Sequence, residues 1–481
     1  MSMNRGRLFV ENIIIFGLGS VVSRIIPYLM LPLIARIFPD ASYMGIYDTL
    51  NVFVVFGVSL AVMGIYDVMF LLFFEKEDPG CQTEVTSTSL FIVTLSSLFF
   101  FGLAVLLRSR LSALFFESEN YSWLVALSGV TIIFSALNVI LSAPTRMRNR
   151  RGIFILINTL APIVSYGISI PLLLSGHYVA ALPLAALVTA FLTCLVYLFL
   201  NRSHFRRGKI KMDLAAGMLK IAAPLIPCFI FYWVLSSVDR LMITNMLGLS
   251  QTGVYAFAAN LARISMLVYL AFAGGFQYFA FSTMKDRDHT ELMSRVFDYL
   301  CGLSGSALCA VTPLSKFIFT AFFPPEYQEG WPVFPMLFGG PLFLMLFQSI
   351  ANQFLVVKKS WPSSVILALA AALTIALDFW LVRPLGIRGA AAGAFSGYVF
   401  SVVMAALVLT KMKLIRLTLR PALAAVLAIT GLFTHLAGWP ACFIYPFCGL
   451  SLLVISLLYL KDAAGVLKRF TGRHTRGSRA V

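Results

Sequence analysis

Six basic side chains interrupt long apolar runs: Arg24, Arg36, Lys220, Arg240, Arg263 and Lys316. A charge placed in hydrocarbon costs at least about 2.5–3.5 kcal/mol on insertion scales, so such groups must face other helices or a wet cavity. At the helical rise per residue, Arg24 lies roughly 20 Å below the outer end of its run and Arg263 about 16 Å below the outer end of its own. Both are therefore near the midplane, one in each half of the chain. Two guanidinium forks at that depth suit an anionic headgroup such as a diphosphate, whose oxygens they can grip bidentately. The competing reading of Arg24 is a structural ion pair with Asp48 or Asp67. Those two carboxylates are also candidates for coupling to a proton or a sodium ion. Arg36, Arg240 and Lys316 sit nearer the outer ends of their runs, and Lys220 sits near the inner surface.

Asp239 and Arg240 are adjacent, so on a helix they point about 100° apart and cannot both face one cavity. A packing or gating pair near the outer end is the expected role. Pro27 and Pro32 each remove a helix hydrogen bond close to Arg24, which predicts a kink that serves as a hinge or a static bend. Asp298 and Asp378 fall near span ends and are expected to be hydrated. No catalytic residue, metal site or cofactor is expected. The seven cysteines form no CxxC pair and the five histidines no paired ligand spacing. Asp286-Arg287-Asp288 has the form of a metal-binding DxD but stands in a short loop. Gly17-Leu18-Gly19 lies in an apolar run with no strand before it.

The elements that position these residues follow from composition. The 481-residue chain is 60% hydrophobic and 12% charged, with a mean hydropathy of +0.90, which excludes a soluble globular domain. Apolar runs long enough to span a bilayer recur from end to end, and only helices satisfy their own backbone there. The reading is an all-α integral membrane protein with about 14 transmembrane helices. The spans that carry the residues above include 9–38, 43–73, 218–247 and 252–281. The first run is too long for a cleavable signal peptide. Most of the 37 Lys and Arg collect on one side of the spans, including Arg146, Arg148, Arg150 and Arg151 in one loop. The positive-inside rule then places both termini in the cytoplasm. The net charge of +17 is accordingly topological, and no nucleic-acid partner is expected.

The two halves repeat their punctuation. Gly45-Ile46-Tyr47 returns as Gly253-Val254-Tyr255, and Glu75-Lys76-Glu77-Asp78 as Lys285-Asp286-Arg287-Asp288. Phe115-Phe116-Glu117 returns as Phe322-Phe323 with Glu326, and Gly176-His177-Tyr178 with its Ala180-Ala181 as Gly386-Ile387-Arg388 with Ala390-Ala391. An even number of spans per copy makes the halves parallel repeats, which enclose a central cavity that rocking would open to each side in turn. The domains read as a six-helix lobe over 1–210, a second over 211–415, two additional helices over 416–461 and a basic cytoplasmic tail over 462–481.

Ala35-Arg36-Ile37-Phe38-Pro39 running to Gly45-Ile46-Tyr47, Ser237-Val238-Asp239-Arg240-Leu241 with Gly248 and Gly253-Val254-Tyr255, and Gly386-Ile387-Arg388-Gly389 together carry a resemblance. The chain resembles the polysaccharide transporters, the Wzx-type O-antigen flippases of the multidrug, oligosaccharidyl-lipid and polysaccharide superfamily. The resemblance spans both lobes. It implies a V-shaped fold in the bacterial inner membrane that moves an undecaprenyl-diphosphate-linked oligosaccharide to the outer leaflet for lipopolysaccharide assembly. It also implies a cationic cavity, and as partners the lipid-linked glycan, the bilayer and other polysaccharide assembly proteins. Alternatives are a flippase of the peptidoglycan lipid precursor, a drug or cation exporter of the same superfamily, or, as an enzyme, a membrane polysaccharide polymerase or ligase. The outer loops are short for an enzyme of that kind.

Overall fold

A computed structural model describes residues 25–75, 78–116, 118–148, 150–206, 210–268, 289–357 and 361–476. Every regular element among them is helical. In chain order they are α1 (Ile25–Ile37), α2 (Ala41–Val62), α3 (Ile65–Glu75), α4 (Pro79–Leu106), α5 (Arg108–Phe116), α6 (Ser122–Met147), α7 (Arg151–Leu174), α8 (Ala181–Arg206) and α9 (Met212–Ala222). There follow α10 (Ile226–Leu247), α11 (Leu249–Ala262), α12 (His289–Phe322), α13 (Pro325–Gln328), α14 (Phe334–Val356), α15 (Trp361–Leu385), α16 (Ile387–Lys411), α17 (Leu419–Leu436) and α18 (Ala441–Arg476). Twelve helices among the described residues are long and apolar enough to cross a membrane, and Ile25–Ile37 and Ile65–Phe74 are shorter apolar helices. The all-helical membrane class read from composition is the class observed.

Three of the expected spans are interrupted. The run over 43–73 breaks at Met63 and Gly64, whose φ values of 48° and 72° put both residues in the left-handed region. Two consecutive residues there end one helix and start another. The run over 218–247 breaks at a 3₁₀ turn, Ala223–Leu225, that contains Pro224, because proline cannot continue the hydrogen-bond ladder. The run over 252–281 is α-helical to Ala262 and then tightens into a 3₁₀ turn over Arg263–Ser265; its part beyond 268 lies outside the described residues. Helix starts are capped where the sequence offers a carboxylate. Asp40 accepts from the Ser42 N–H at 2.6 Å, and Asp78 accepts from the Cys81 N–H at 2.8 Å beside Pro79. Pro27 and Pro32 both lie within the helical stretch of α1.

By packing, the chain forms two compact units that do not follow chain order. The first is Met1–Leu261 with Phe322–Gly330 and Leu367–Gly397, and the second is Ala262–Ala321 with Trp331–Ile366 and Tyr398–Val481. The core of the first is a continuous cluster that includes Leu50, Val68, Met69, Val93, Leu124, Ile132 and Met218, all at or below 3% exposure. In it α2 and α11 meet backbone to backbone. A Cβ added at Gly45 would land on the carbonyl oxygen of Leu249, and one at Gly253 on that of Ala41. The two copies of the repeated Gly-x-Tyr motif therefore touch, and only glycine permits that approach. In the second unit α17 and α18 pack on α12. Tyr459 donates to Asp298 at 2.5 Å, and a Cβ at Gly302 would meet the Tyr459 ring at 2.6 Å. Asp298 is thus held by protein.

Candidate functional site

Four ionisable side chains gather at one level of the first unit. Asp48 is seven residues in from Ala41, the first residue of α2. Arg240 is seven residues before Leu247, the last of α10, and Asp378 is seven before Leu385, the last of α15. About 10 Å of helix separates each from the same end of the bundle, the end that loop charges assign to the outside. Asp239 lies beside Arg240. All four are buried: Asp48 is 1%, Asp239 4%, Arg240 3% and Asp378 0% exposed.

The contacts form a chain across three helices. Arg240 Nε lies 2.6 Å from Asp48 Oδ2, a charge contact made off the hydrogen-bonding direction. Its Nη1 donates to the Ser236 carbonyl at 2.7 Å and lies 3.6 Å from Asp239 Oδ1. Asn260 Nδ2 donates to Asp48 Oδ1 at 3.2 Å, and the Tyr255 hydroxyl donates to Asp239 Oδ2. The expected 100° divergence of Asp239 and Arg240 is overcome by their side chains: both turn into the bundle, where the guanidinium serves two carboxylates. Asp48 pairs with Arg240, and Arg24, which the sequence offered as a partner for Asp48 or Asp67, lies outside the described residues.

Asp378 differs from the other three. It is not hydrated, as its place near a span end had suggested, because α15 turns it against the bare backbone of α16. A Cβ at Gly393 would fall on Asp378 Oδ1. Neither of its carboxylate oxygens has a hydrogen-bond partner among the described residues. Sequence reasoning missed Asp378, Tyr255 and Asn260 as members of the cluster. The signal that would have found the aspartate is its depth, equal to that of Asp48 and Arg240.

Asp48 and Asp239 share one guanidinium and leave it net negative, so this cluster is not where a diphosphate would bind. It is suited to tie α2, α10 and α11 together, and to release them when its charge balance changes. Of the two arginines expected to hold a headgroup, Arg24 lies outside the described residues. Arg263 is exposed and sits in the 3₁₀ turn that follows α11. Asp67 is exposed on α3, beyond the Met63-Gly64 break that separates it from Asp48 on α2. No group of three or more metal-ligating side chains occurs among the described residues.

By sequence, no curated protein matches the chain. By structure it is similar to the lipid II flippase MurJ in an inward closed conformation, with a TM-score of 0.68 at 17% identity over 94% of this chain and 100% of that one. An inward-facing multidrug resistance MATE family transporter aligns with a TM-score of 0.58 at 12% identity, over 87% of this chain and 100% of that one. A point mutant of the Vibrio cholerae MATE transporter VcmN gives 0.58 at 11% identity over 84% and 95%. At these identities the likeness is one of fold. The family model for polysaccharide biosynthesis proteins matches residues 33–323, more than half of the chain, and the chain belongs to that family.

Proposed function

We propose that the protein is a flippase that carries an undecaprenyl-diphosphate-linked oligosaccharide from the cytoplasmic to the outer leaflet by alternating access. The observation that carries this reading is the conjunction of a polysaccharide biosynthesis family match with the fold of a lipid II flippase. In this reading the two six-helix lobes, related by an axis along the membrane normal, rock against each other, and Arg24 and Arg263 bind the diphosphate. The cluster of Asp48, Asp239 and Arg240 is a lock near the outer end, to be opened when the cavity faces out. The cation on each arginine is the functional requirement, because the anion must leave water without losing its counter-charge.

The test is a flipping assay with the purified protein in liposomes and a labelled lipid-linked oligosaccharide. Arg24→Ala and Arg263→Ala are each expected to abolish flipping while the protein stays folded, and lysine at either position to keep part of it. Full activity in both alanine variants would rule out the two-arginine clamp. A deletion strain that accumulates complete lipid-linked repeat units on the inner leaflet supports the flippase itself. A second reading, transport of the peptidoglycan lipid precursor, draws on the higher TM-score with MurJ than with the MATE transporters. It is decided by offering both lipids to the same liposomes.

A further inference from the structure

Within the first unit, α6, α7 and α8 line an open cavity of about 540 Å³, with Tyr66 of α3 at its wall. It shares no residue with the carboxylate cluster. Along α6 the polar residues Ser135, Asn138, Ser142 and Arg146 recur at intervals of three, four and four, which puts them on one face. A polar face this long on a membrane helix needs partners. The neighbouring helices satisfy it only partly. Asn138 Nδ2 donates to the Ala190 carbonyl at 2.9 Å and to Thr193 Oγ1 at 2.8 Å. Its Oδ1 is buried with no hydrogen-bond partner among the described residues, and so is Thr189 Oγ1.

Arg146 stands at the mouth, about 12 Å along the helix from Asn138. Its Nη1 donates to the Tyr66 hydroxyl at 2.7 Å, and its guanidinium lies over the rings of Tyr66 and Phe154 at 5.7 and 5.4 Å. Arg146 and Asn158 are exposed, so the cavity opens at this end. No carboxylate lines it, and no ion pair involves Arg146 among the described residues.

These groups select a ligand by chemistry. An organic cation finds no carboxylate in the lining. An aliphatic chain leaves the amide oxygen of Asn138 and the hydroxyl of Thr189 without partners. A sugar ring supplies hydroxyls that both donate and accept. An acidic group at its other end meets a guanidinium already steered by Tyr66 and Phe154. We propose that this cavity binds an acidic sugar, with ring hydroxyls on Asn138 and Thr189 and a phosphate or carboxylate on Arg146. The site stands whichever cargo the protein moves.

The test is titration calorimetry on the full chain in lipid nanodiscs. Glucose 1-phosphate and glucuronate are expected to bind at least tenfold more tightly than glucose or inorganic phosphate. Arg146→Gln should remove their advantage over glucose, and Asn138→Leu should weaken both at least tenfold. Ala186→Phe fills the cavity without removing a hydrogen bond and should abolish binding, which keeps the test decisive if the Asn138 variant fails to fold. A short-chain polyprenyl-phosphate-linked sugar that displaces glucose 1-phosphate assigns the site to lipid-linked sugars, and one that does not assigns it to soluble sugar phosphates. No binding, binding unchanged in Ala186→Phe, or inorganic phosphate as tight as glucose 1-phosphate overturns the proposal.

Discussion

Asp48 and Arg240 show what a buried ion pair commits a membrane protein to. Each is at most 3% exposed, so neither charge can turn to water when the other is removed. Asp48→Ala leaves the Arg240 guanidinium with less counter-charge inside the bundle, and the expected cost is about 3–5 kcal/mol. In an Asp239→Asn background, which leaves no second carboxylate without its cation, replacing both residues by apolar ones of similar size, Asp48→Leu with Arg240→Met, should restore much of that loss. Thermal unfolding in detergent of the single and double variants measures the difference, and additive losses would show that the two residues do not act as a pair. The residues themselves were legible in the sequence, since a charge in an apolar run declares itself. Their pairing was not: α2 and α10 are far apart in the chain, and Arg24 was the nearer candidate for Asp48. Asp378 was misread for a related reason. Distance from a span end measures depth, but only the packing of α16 through Gly393 decides whether water reaches that depth.

The crossing of α2 and α11 rests on two glycines. Gly253→Ala drives a methyl group into the Ala41 carbonyl, and the helices must separate to admit it. A loss of about 1–3 kcal/mol is expected, as for other overpacked sites, and Gly45→Ala should cost a similar amount. Because the two substitutions disturb one contact, their effects should be less than additive. Gly102, about one turn from the C-terminal end of α4 and with nothing within 4 Å of an added Cβ, is the control. Alanine there should gain about 0.5–1 kcal/mol. The repeat that contains Gly45 and Gly253 was visible as two matching Gly-x-Tyr motifs. That the copies touch could not be read from spacing, which orders elements along the chain without placing one against another. The interruption at Pro224 follows from its residue type and so does the part of the other that Gly64 supplies, whereas the part at Met63 does not. A methionine at a φ of 48° carries no signature, and its apolar side chain made α2 and α3 read as one span.

For the whole molecule, composition was decisive: hydrocarbon leaves a chain of this hydropathy few options besides a helical bundle, and helices are what the described residues form. Charge enters at this scale too, through the potential across the membrane. A diphosphate headgroup carries roughly two negative charges, and an inside-negative potential favours its outward movement by about 2.3 kcal/mol per charge per 100 mV. If the headgroup crosses without a counter-ion, 100 mV contributes about 4.6 kcal/mol, which is on the order of a thousandfold in the ratio between leaflets. In proteoliposomes with a valinomycin-set potassium potential, the outer-leaflet share of the labelled lipid should therefore rise steeply with inside-negative voltage. Protons or sodium ions that travel with the anion would cancel that dependence. A ratio that ignores the potential but follows a pH or sodium gradient would exclude uncompensated anion movement. It would move the driving force to residues that can change charge during the cycle. The buried carboxylates Asp48, Asp239 and Asp378 are then the first to replace, each by asparagine, and a variant that still flips but no longer responds to the gradient identifies the coupling residue.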